Sequence, residues 1–426
     1  MGVVCIILLL LSVPAFAELH VLTLGEAVEL ALRQNPDLTL ARLEEQRAVL
    51  EARAAKDPFS TRFVVGSGLA YSSGFPLSIE GAAPSLVRAE AVRSLFNKPQ
   101  SYKLAQAREE ARGAGLDTQS KRNDIVHKTA MLFLDAEQAR RAAEIGLKQV
   151  DVIERVREVV ELRVKEGREL PIAARRASLD AARARQRAEG MSDEAEFAER
   201  ALAVVLGYAP EDQVRAAAQE RRLPDVPVSE EAAVSSAIES HPQIRRLQSS
   251  LVAKGFEARS AKSARLPVID LVAQYAMLTR FNNYDRFFQT FQRNNFQIGA
   301  SIQLPLLPGL GAEARAAQVE VESTRIRNEL NATRNRISLD TRRAYQRIRQ
   351  AESAREVARL DLDVAREELS LLLAQLEEGR ATLQQVEQAR FQENERWMEY
   401  YRSRQELERA RLDLLRETGD LAAALR

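Results

Sequence analysis

Asn295-Phe296-Gln297-Ile298-Gly299-Ala300-Ser301-Ile302-Gln303-Leu304 alternates without a break. In an extended chain Phe296, Ile298, Ala300, Ile302 and Leu304 share one face, and Asn295, Gln297, Gly299, Ser301 and Gln303 share the other, because successive side chains point to opposite sides. A helix would mix the two sets. The segment Val268 to Leu278 repeats the pattern, with Ile269, Leu271, Ala273, Tyr275 and Met277 opposed by Asp270 and Gln274. Both segments run about ten residues, the length that crosses a bilayer as a tilted strand. An earlier pair is less regular. Phe63, Val65, Leu69 and Tyr71 share a face, and Val87, Ala89, Ala91 and Leu95 are opposed by Arg88 and Glu90, with Ser67 and Arg93 breaking the alternation. Hairpins are expected over 61–96 and 267–304. Alternation by itself also suits a water-exposed hairpin with one wet face.

Between the paired strands lie 72–84, rich in Gly, Pro and Ser, and 279–294, which holds Arg280, Tyr284, Arg286, Phe287 and Phe288. Such compositions suit external loops. Four strands cannot seal a barrel, since the smallest membrane barrels need about eight and lipid tolerates no open sheet edge. Membranous strands here would therefore require several copies of the chain.

The rest of the sequence is duplicated. Glu26-Ala27-Val28-Glu29-Leu30-Ala31-Leu32-Arg33-Gln34-Asn35-Pro36-Asp37-Leu38 is echoed by Ala232-Ala233-Val234-Ser235-Ser236-Ala237-Ile238-Glu239-Ser240-His241-Pro242-Gln243-Ile244. Val164-Lys165-Glu166-Gly167-Arg168 is echoed by Leu376-Glu377-Glu378-Gly379-Arg380. The markers keep their order, so two structural repeats are expected, 18–220 and 221–426. Each reads as a short helix, two strands, a very long helix, a Gly turn near 167 or 379, and a medium helix. Thr23-x-x-Glu26 is a capping box, Ser229 is a cap in the second copy, and Pro36 and Pro242 should kink or re-initiate their helices.

The long helices are expected over 101–165 and 312–377, each about 100 Å at the usual rise. Leu330, Ile337, Ala344, Ala351, Ala358, Ala365 and Leu372 recur every seven residues, as do Ile125, Leu132 and Ala139 and then Ile153 and Val160, with Gly146 between. That stripe predicts helices packed side by side. The segments 23–56 and 170–206 together match one long helix, so two medium helices can parallel a single continuous one.

Composition narrows the function classes. The chain carries 62 basic and 61 acidic residues, interleaved to a net charge of +1, which leaves no basic field for nucleic acid. Met1 to Ala17 reads as a removable signal peptide, with an apolar run from Val3 to Leu11 and Ala15-Phe16-Ala17 at its end. Cys5, the only cysteine, lies inside it. His20, His127 and His241 are scattered, so no His-based metal or catalytic cluster is expected. Nor is there a Gly-rich phosphate loop or a Ser-centred nucleophile turn, and the reading is of a non-enzyme without cofactors. Trp397 near Tyr400 and Tyr401 is read as packing in a helix wall.

Leu24-Gly25-Glu26-Ala27-Val28-x-x-Ala31-Leu32-x-x-Asn35-Pro36, its second copy, the strand exit Gln303-Leu304-Pro305-Leu306-Leu307-Pro308-Gly309 and the Glu-Gly-Arg turns resemble the TolC-like outer membrane efflux proteins. The likeness covers essentially the whole chain after the signal. It implies an α+β membrane protein: long helices forming an α-helical barrel, and a four-stranded contribution to a trimeric, twelve-stranded transmembrane β-barrel. Phe296, Ile298, Ile302, Ile269, Leu271 and Tyr275 would face outer membrane lipid. Gln297, Ser301, Gln303, Asp270, Gln274, Arg88 and Glu90 would face the bore.

The resemblance further implies a homotrimer working with a periplasmic adaptor and an inner-membrane transporter, in efflux or secretion. Helix-hairpin tips at Gly167, Arg168, Gly379 and Arg380 would meet the adaptor, although both glycines also suit plain turns with positive φ. The periplasmic constriction would fall at Gln385, Glu387 and Gln388, with Ala173 and Arg176 at the matching first-copy positions. Known members carry acidic rings there, so these glutamines imply a less cation-selective entrance. The rival reading is a periplasmic coiled-coil adaptor, which predicts one helix hairpin and compact β-domains.

Overall fold

A computed structural model of the protein describes residues 19–68, 85–209, 212–217, 227–278, 292–305, 310–419 and 421–425. The expected signal, the loop 72–84, most of the loop 279–294, Leu69, Tyr71 and the exit residues Leu306 to Gly309 lie outside them. In chain order the elements are β1 (Leu19–Leu22), α1 (Leu24–Gln34), α2 (Pro36–Ala54), β2 (Arg62–Gly68), β3 (Ser85–Phe96), α3 (Lys98–Lys165) and α4 (Pro171–Leu206). There follow β4 (Gln213–Ala216), α5 (Glu230–Ser240), α6 (Pro242–Lys262), β5 (Val268–Leu278), β6 (Asn294–Gln303), α7 (Leu310–Glu377), α8 (Leu383–Thr418) and α9 (Leu421–Ala424). The series from α1 to α4 is repeated from α5 to α8, giving two helix hairpins rather than one.

Local chemistry sets the boundaries. Thr23 and Glu26 form the capping box that starts α1, and the Ser229 side chain accepts from the Ala232 amide to start α5. Asn35 and His241 sit in extended backbone before their prolines, so each helix stops and restarts. Helix α3 begins at Lys98, ahead of the expected Ser101, because Asn97 Oδ1 accepts from the Gln100 amide at 3.1 Å. Helices α3 and α7 each run 68 residues. Strands β1 and β4 pair in parallel and have no counterpart among the expected elements; four residues each are too few to show a period.

The chain forms two compact units. The first holds Met1–Leu40, Ser120–His241 and Arg336–Arg426; the second holds Ala41–Gln119 and Pro242–Asn335. In the first, Phe133, Leu134 and Val126 of α3 are buried with Val28 of α1, Leu38, Leu202 and Leu206 of α4, Val214 and Leu412. Gly146 of α3 packs against α4: a Cβ there would lie 2.9 Å from Met191 Sδ and in ordinary contact, 3.5 Å, with Ala188 Cα. Along α7 the seven-residue stripe is as expected, with Leu330, Ile337, Ala344, Ala358 and Ala365 buried and Ala351 and Leu372 half-buried. Along α3 Ile125 is buried, but Leu132 and Ala139 are only half-buried, and the core side chain is Phe133.

In the second unit, Thr118 Oγ1 donates to the Ala41 carbonyl at 3.1 Å, joining α3 to α2, and Ser249 Oγ donates to the Glu109 carbonyl at 2.9 Å, joining α6 to α3. Its sheet has the order β2-β3-β5-β6, antiparallel throughout.

Gly207 closes α4 with φ +88°, and a Cβ there would lie 3.1 Å from the Gln34 carbonyl oxygen. Gly207→Val is expected to cost about 2–3 kcal/mol, since it adds a backbone clash to a left-handed conformation. Gly167→Val, with φ +72° and open space around its Cβ, keeps only the conformational part, about 1–2 kcal/mol. Thermal melting of both variants tests the difference, and equal shifts would contradict it.

Candidate functional site

The sheet register gathers the alternating residues into rows across four strands. Phe63 lies opposite Ala91, Ala91 opposite Ala273, and Ala273 opposite Ile298. Val65, Ala89, Tyr275 and Phe296 make a second row, and Leu271–Ala300 and Ile269–Ile302 continue the face on the β5–β6 side. Directly opposed residues share a face, so Phe296, Ile298, Ile302, Ile269, Leu271 and Tyr275 lie together. Ile298 and Ile302 are each 67% exposed and Phe296 is 66% exposed, far from burial for side chains of this size. Arg93, opposite Leu271, is the exception on this face.

The other face carries most of the polar side chains, with Val92 opposite Val272 in one of its rows. Glu90, Gln274 and Gln297 form one row across β3, β5 and β6, with Val64 of β2 at its end. Ser94, Asp270 and Ser301 form another, and Gln303 lies opposite Val268. Arg88 reaches Glu90 at 3.3 Å on this side. Strands β2 and β6 are each paired along one edge only within the described residues, so each sheet border presents unpaired backbone donors and acceptors.

The two hairpin turns are built alike. Gly167 has φ +72° and Gly379 φ +73°. The Arg168 amide donates to the Arg163 carbonyl at 2.8 Å, and the Arg380 amide to the Gln375 carbonyl at 2.8 Å. With the Gly167–Val164 and Gly379–Leu376 bonds at 3.0 Å, both turns are Schellman motifs. Arg168 and Arg380 extend into solvent, each paired with the Glu two residues before it, Glu166 at 3.2 Å and Glu378 respectively. Leu170, next to the first turn, is 69% exposed.

Ala173 and Arg176 stand in the first two turns of α4, and Gln385, Glu387 and Gln388 in those of α8. Gln385 is engaged locally, since its Oε1 accepts from the Thr382 amide at 2.8 Å and closes a capping box. The sequence signal for this role is Thr382-x-x-Gln385, of the same kind as the pair that starts α1. Glu387 pairs with Arg390 at 3.2 Å, and Gln388 is exposed.

Trp397 stacks on Tyr401 at 4.8 Å, with Arg366 over the indole at 5.0 Å and Arg141 over Tyr401 at 4.7 Å, which makes it a packing cluster among α3, α7 and α8. Among the described residues no group of three or more His, Cys, Asp or Glu is placed to hold a metal. No described helix is long and apolar enough to cross a membrane.

No family model matches the chain. In sequence it is 25% identical over 241 residues to the outer membrane efflux protein BepC of Brucella suis biovar 1 (strain 1330), a match that takes in 55% of this chain and 50% of that protein. The chain thus spans about half the length of the curated relative it matches. Two solved structures are similar over nearly all of it. CusC aligns with a TM-score of 0.74 at 14% identity, covering 93% of this chain and 91% of that one. The outer membrane protein VceC of Vibrio cholerae aligns with a TM-score of 0.72 at 17% identity, covering 93% and 96%. The chain has the α+β fold of the TolC-like outer membrane channels.

Proposed function

We propose that the chain is one subunit of an outer membrane channel-tunnel that conducts substrates passively out of the cell envelope. The sheet carries this reading: among the described residues it has one apolar face, one face with most of the polar side chains, and two edges paired on one side only. In lipid such edges are costly and must meet strands from other copies. Two copies would supply eight strands, whose interior side chains fill, whereas three would supply twelve and leave a bore. A homotrimer is therefore the smallest assembly that both seals the sheet and conducts. The face of Ile298, Ile302, Phe296, Ile269, Leu271 and Tyr275 then meets lipid, and that of Gln297, Ser301, Gln303, Asp270, Gln274, Arg88 and Glu90 lines the bore.

The long helices would continue the bore into the periplasm. In this reading the turns at Gly167–Arg168 and Gly379–Arg380 meet a periplasmic adaptor that couples the tunnel to an inner-membrane transporter. The entrance falls at Gln388, Glu387, Gln385, Ala173 and Arg176. With Gln385 tied back to Thr382, Gln388 is the neutral side chain left to face passing solute, and weak cation preference follows. BepC is an efflux protein by name, which favours efflux over secretion here. Energy would come from the partner transporter, and the subunit hydrolyses nothing.

The protein purified in detergent should run at the mass of three chains and show single-channel conductance in a planar bilayer. A monomer without conductance would end this reading.

A further inference from the structure

Arg93 is the one charged side chain on the apolar face of the sheet among the described residues. Its strand is central: β3 pairs with β2 on one side and β5 on the other, so a copy joining at either border cannot cover it. Its row continues through Leu271 and Ala300, between the rows Ala91–Ala273–Ile298 and Phe96–Ile269–Ile302. The side chain is exposed and forms no ion pair among the described residues. The acids of the sheet lie on the opposite face, Glu90 with Arg88 and Asp270 in the row of Ser94 and Ser301.

The depth of Arg93 follows from the register. Helical segments meet the sheet at Arg62, Phe96, Val268 and Gln303, so this end is the periplasmic one in the channel reading, on which the inference rests. A register shift between Ser94 and Phe96 brings Phe96 opposite Ile269. Arg93 and Phe96 therefore occupy adjacent rows of one face, with Leu95 bulged between them. Arg93 lies about 10 Å along the strand from the end of β3, toward the edge of an apolar band about 25 Å tall. A lipid-facing arginine costs much less near that edge than at the centre, and its long stem carries the guanidinium outward to the headgroups.

A second cation stands at this end. Lys98, the first residue of α3, is exposed and sets its ammonium over the Phe96 ring, 5.8 Å from the centroid. Two other cations nearby are already matched, Arg62 with Asp57 at 3.5 Å and Arg265 with Glu313 at 2.7 Å. Arg93 and Lys98 thus flank one aromatic ring, with exposed Leu95 and Leu271 available to an acyl chain. A guanidinium matches two phosphate oxygens, and the ammonium adds a point charge. No carboxylate stands among these residues to receive the ammonium of a zwitterionic headgroup, so a headgroup of net negative charge is favoured.

We propose that Arg93 and Lys98 hold the phosphate of an anionic phospholipid from the periplasm-facing leaflet, one in each subunit. Lipid retention by the assembled protein tests this. The protein purified in neutral detergent is equilibrated with equimolar phosphatidylglycerol and phosphatidylcholine of the same acyl chains and repurified, and its bound lipid is measured by mass spectrometry. The natural chain should retain phosphatidylglycerol several-fold over phosphatidylcholine. Arg93→Gln should abolish the preference and Lys98→Gln should reduce it. Arg62→Gln, whose position opposite Val92 puts it on the other face, should keep it, and excess inorganic phosphate should not displace the lipid. No preference in the natural chain, full preference in Arg93→Gln, or displacement by phosphate, as expected of a free-anion site, would overturn the proposal. If Arg93→Gln does not assemble, Lys98→Gln decides, and a preference left intact there overturns it. A conducting trimer without the preference sinks the lipid site alone, whereas a monomer without conductance sinks the channel reading beneath it.

Discussion

Ile298→Arg and Ile302→Arg are expected to abolish recovery of the assembled protein from outer membranes, while Gln297→Arg is recovered normally. Ile298 ends the row Phe63–Ala91–Ala273–Ile298, and Ile302 lies opposite Ile269. On a lipid-facing strand a mid-bilayer Arg costs about 2–4 kcal/mol, and a symmetric ring repeats that cost in every copy. Gln297 differs by one position in sequence and by a whole face in space. Its cross-strand neighbour is Gln274, which in turn lies opposite Glu90, so an added guanidinium there meets polar partners. Membrane fractionation followed by unheated gel electrophoresis separates the outcomes. Equal loss, or equal recovery, at all three positions would overturn the assignment of faces.

Phe133→Ala should be the most damaging truncation in the helical part, at about 3–5 kcal/mol. The ring is fully buried among Leu134, Val126, Leu202, Leu206 and Leu412. Its removal opens a cavity that helices α3, α4 and α8, fixed by many other contacts, cannot collapse to fill. Leu132→Ala, one position away and only half-buried, should cost under about 2 kcal/mol. Urea unfolding in detergent measures both. A Leu132 loss as large as that of Phe133 would mean that α3 is rotated from the orientation described.

How much of this is legible in the sequence depends on how long each signal persists. The strands 268–278 and 294–303 are readable because ten or so alternating residues leave no other period, and α7 because its seven-residue stripe runs unbroken from Leu330 to Leu372. Helix α3 is legible as a helix, but its core side is not. Its apolar residues are crowded at 125, 126, 130, 133, 134 and 136, a band too wide for one heptad line to mark. Strands β1 and β4 are too short to read.

The candidate sites are legible as positions and less so as roles. Gly167 and Gly379 stand out by position, and their turns have the positive φ that glycine allows. Gln385 stands at the expected entrance, yet its side chain caps a helix. The meeting of His127 with Asp413, 286 positions apart, leaves no trace in local sequence, because only the tertiary fold brings α3 and α8 together.

In the proposed assembly, the single-sided pairing of β2 and β6 among the described residues would also order events during biogenesis. A lone subunit that entered the bilayer would carry two rows of backbone groups with nothing to bond to, whereas in water the same groups are solvated. Newly exported subunits should therefore wait in aqueous surroundings until they meet one another. Insertion and subunit association would then become one step, whose rate would rise steeply with subunit concentration, and a shortage of chains would leave unassembled, protease-sensitive material outside the membrane rather than partial pores within it.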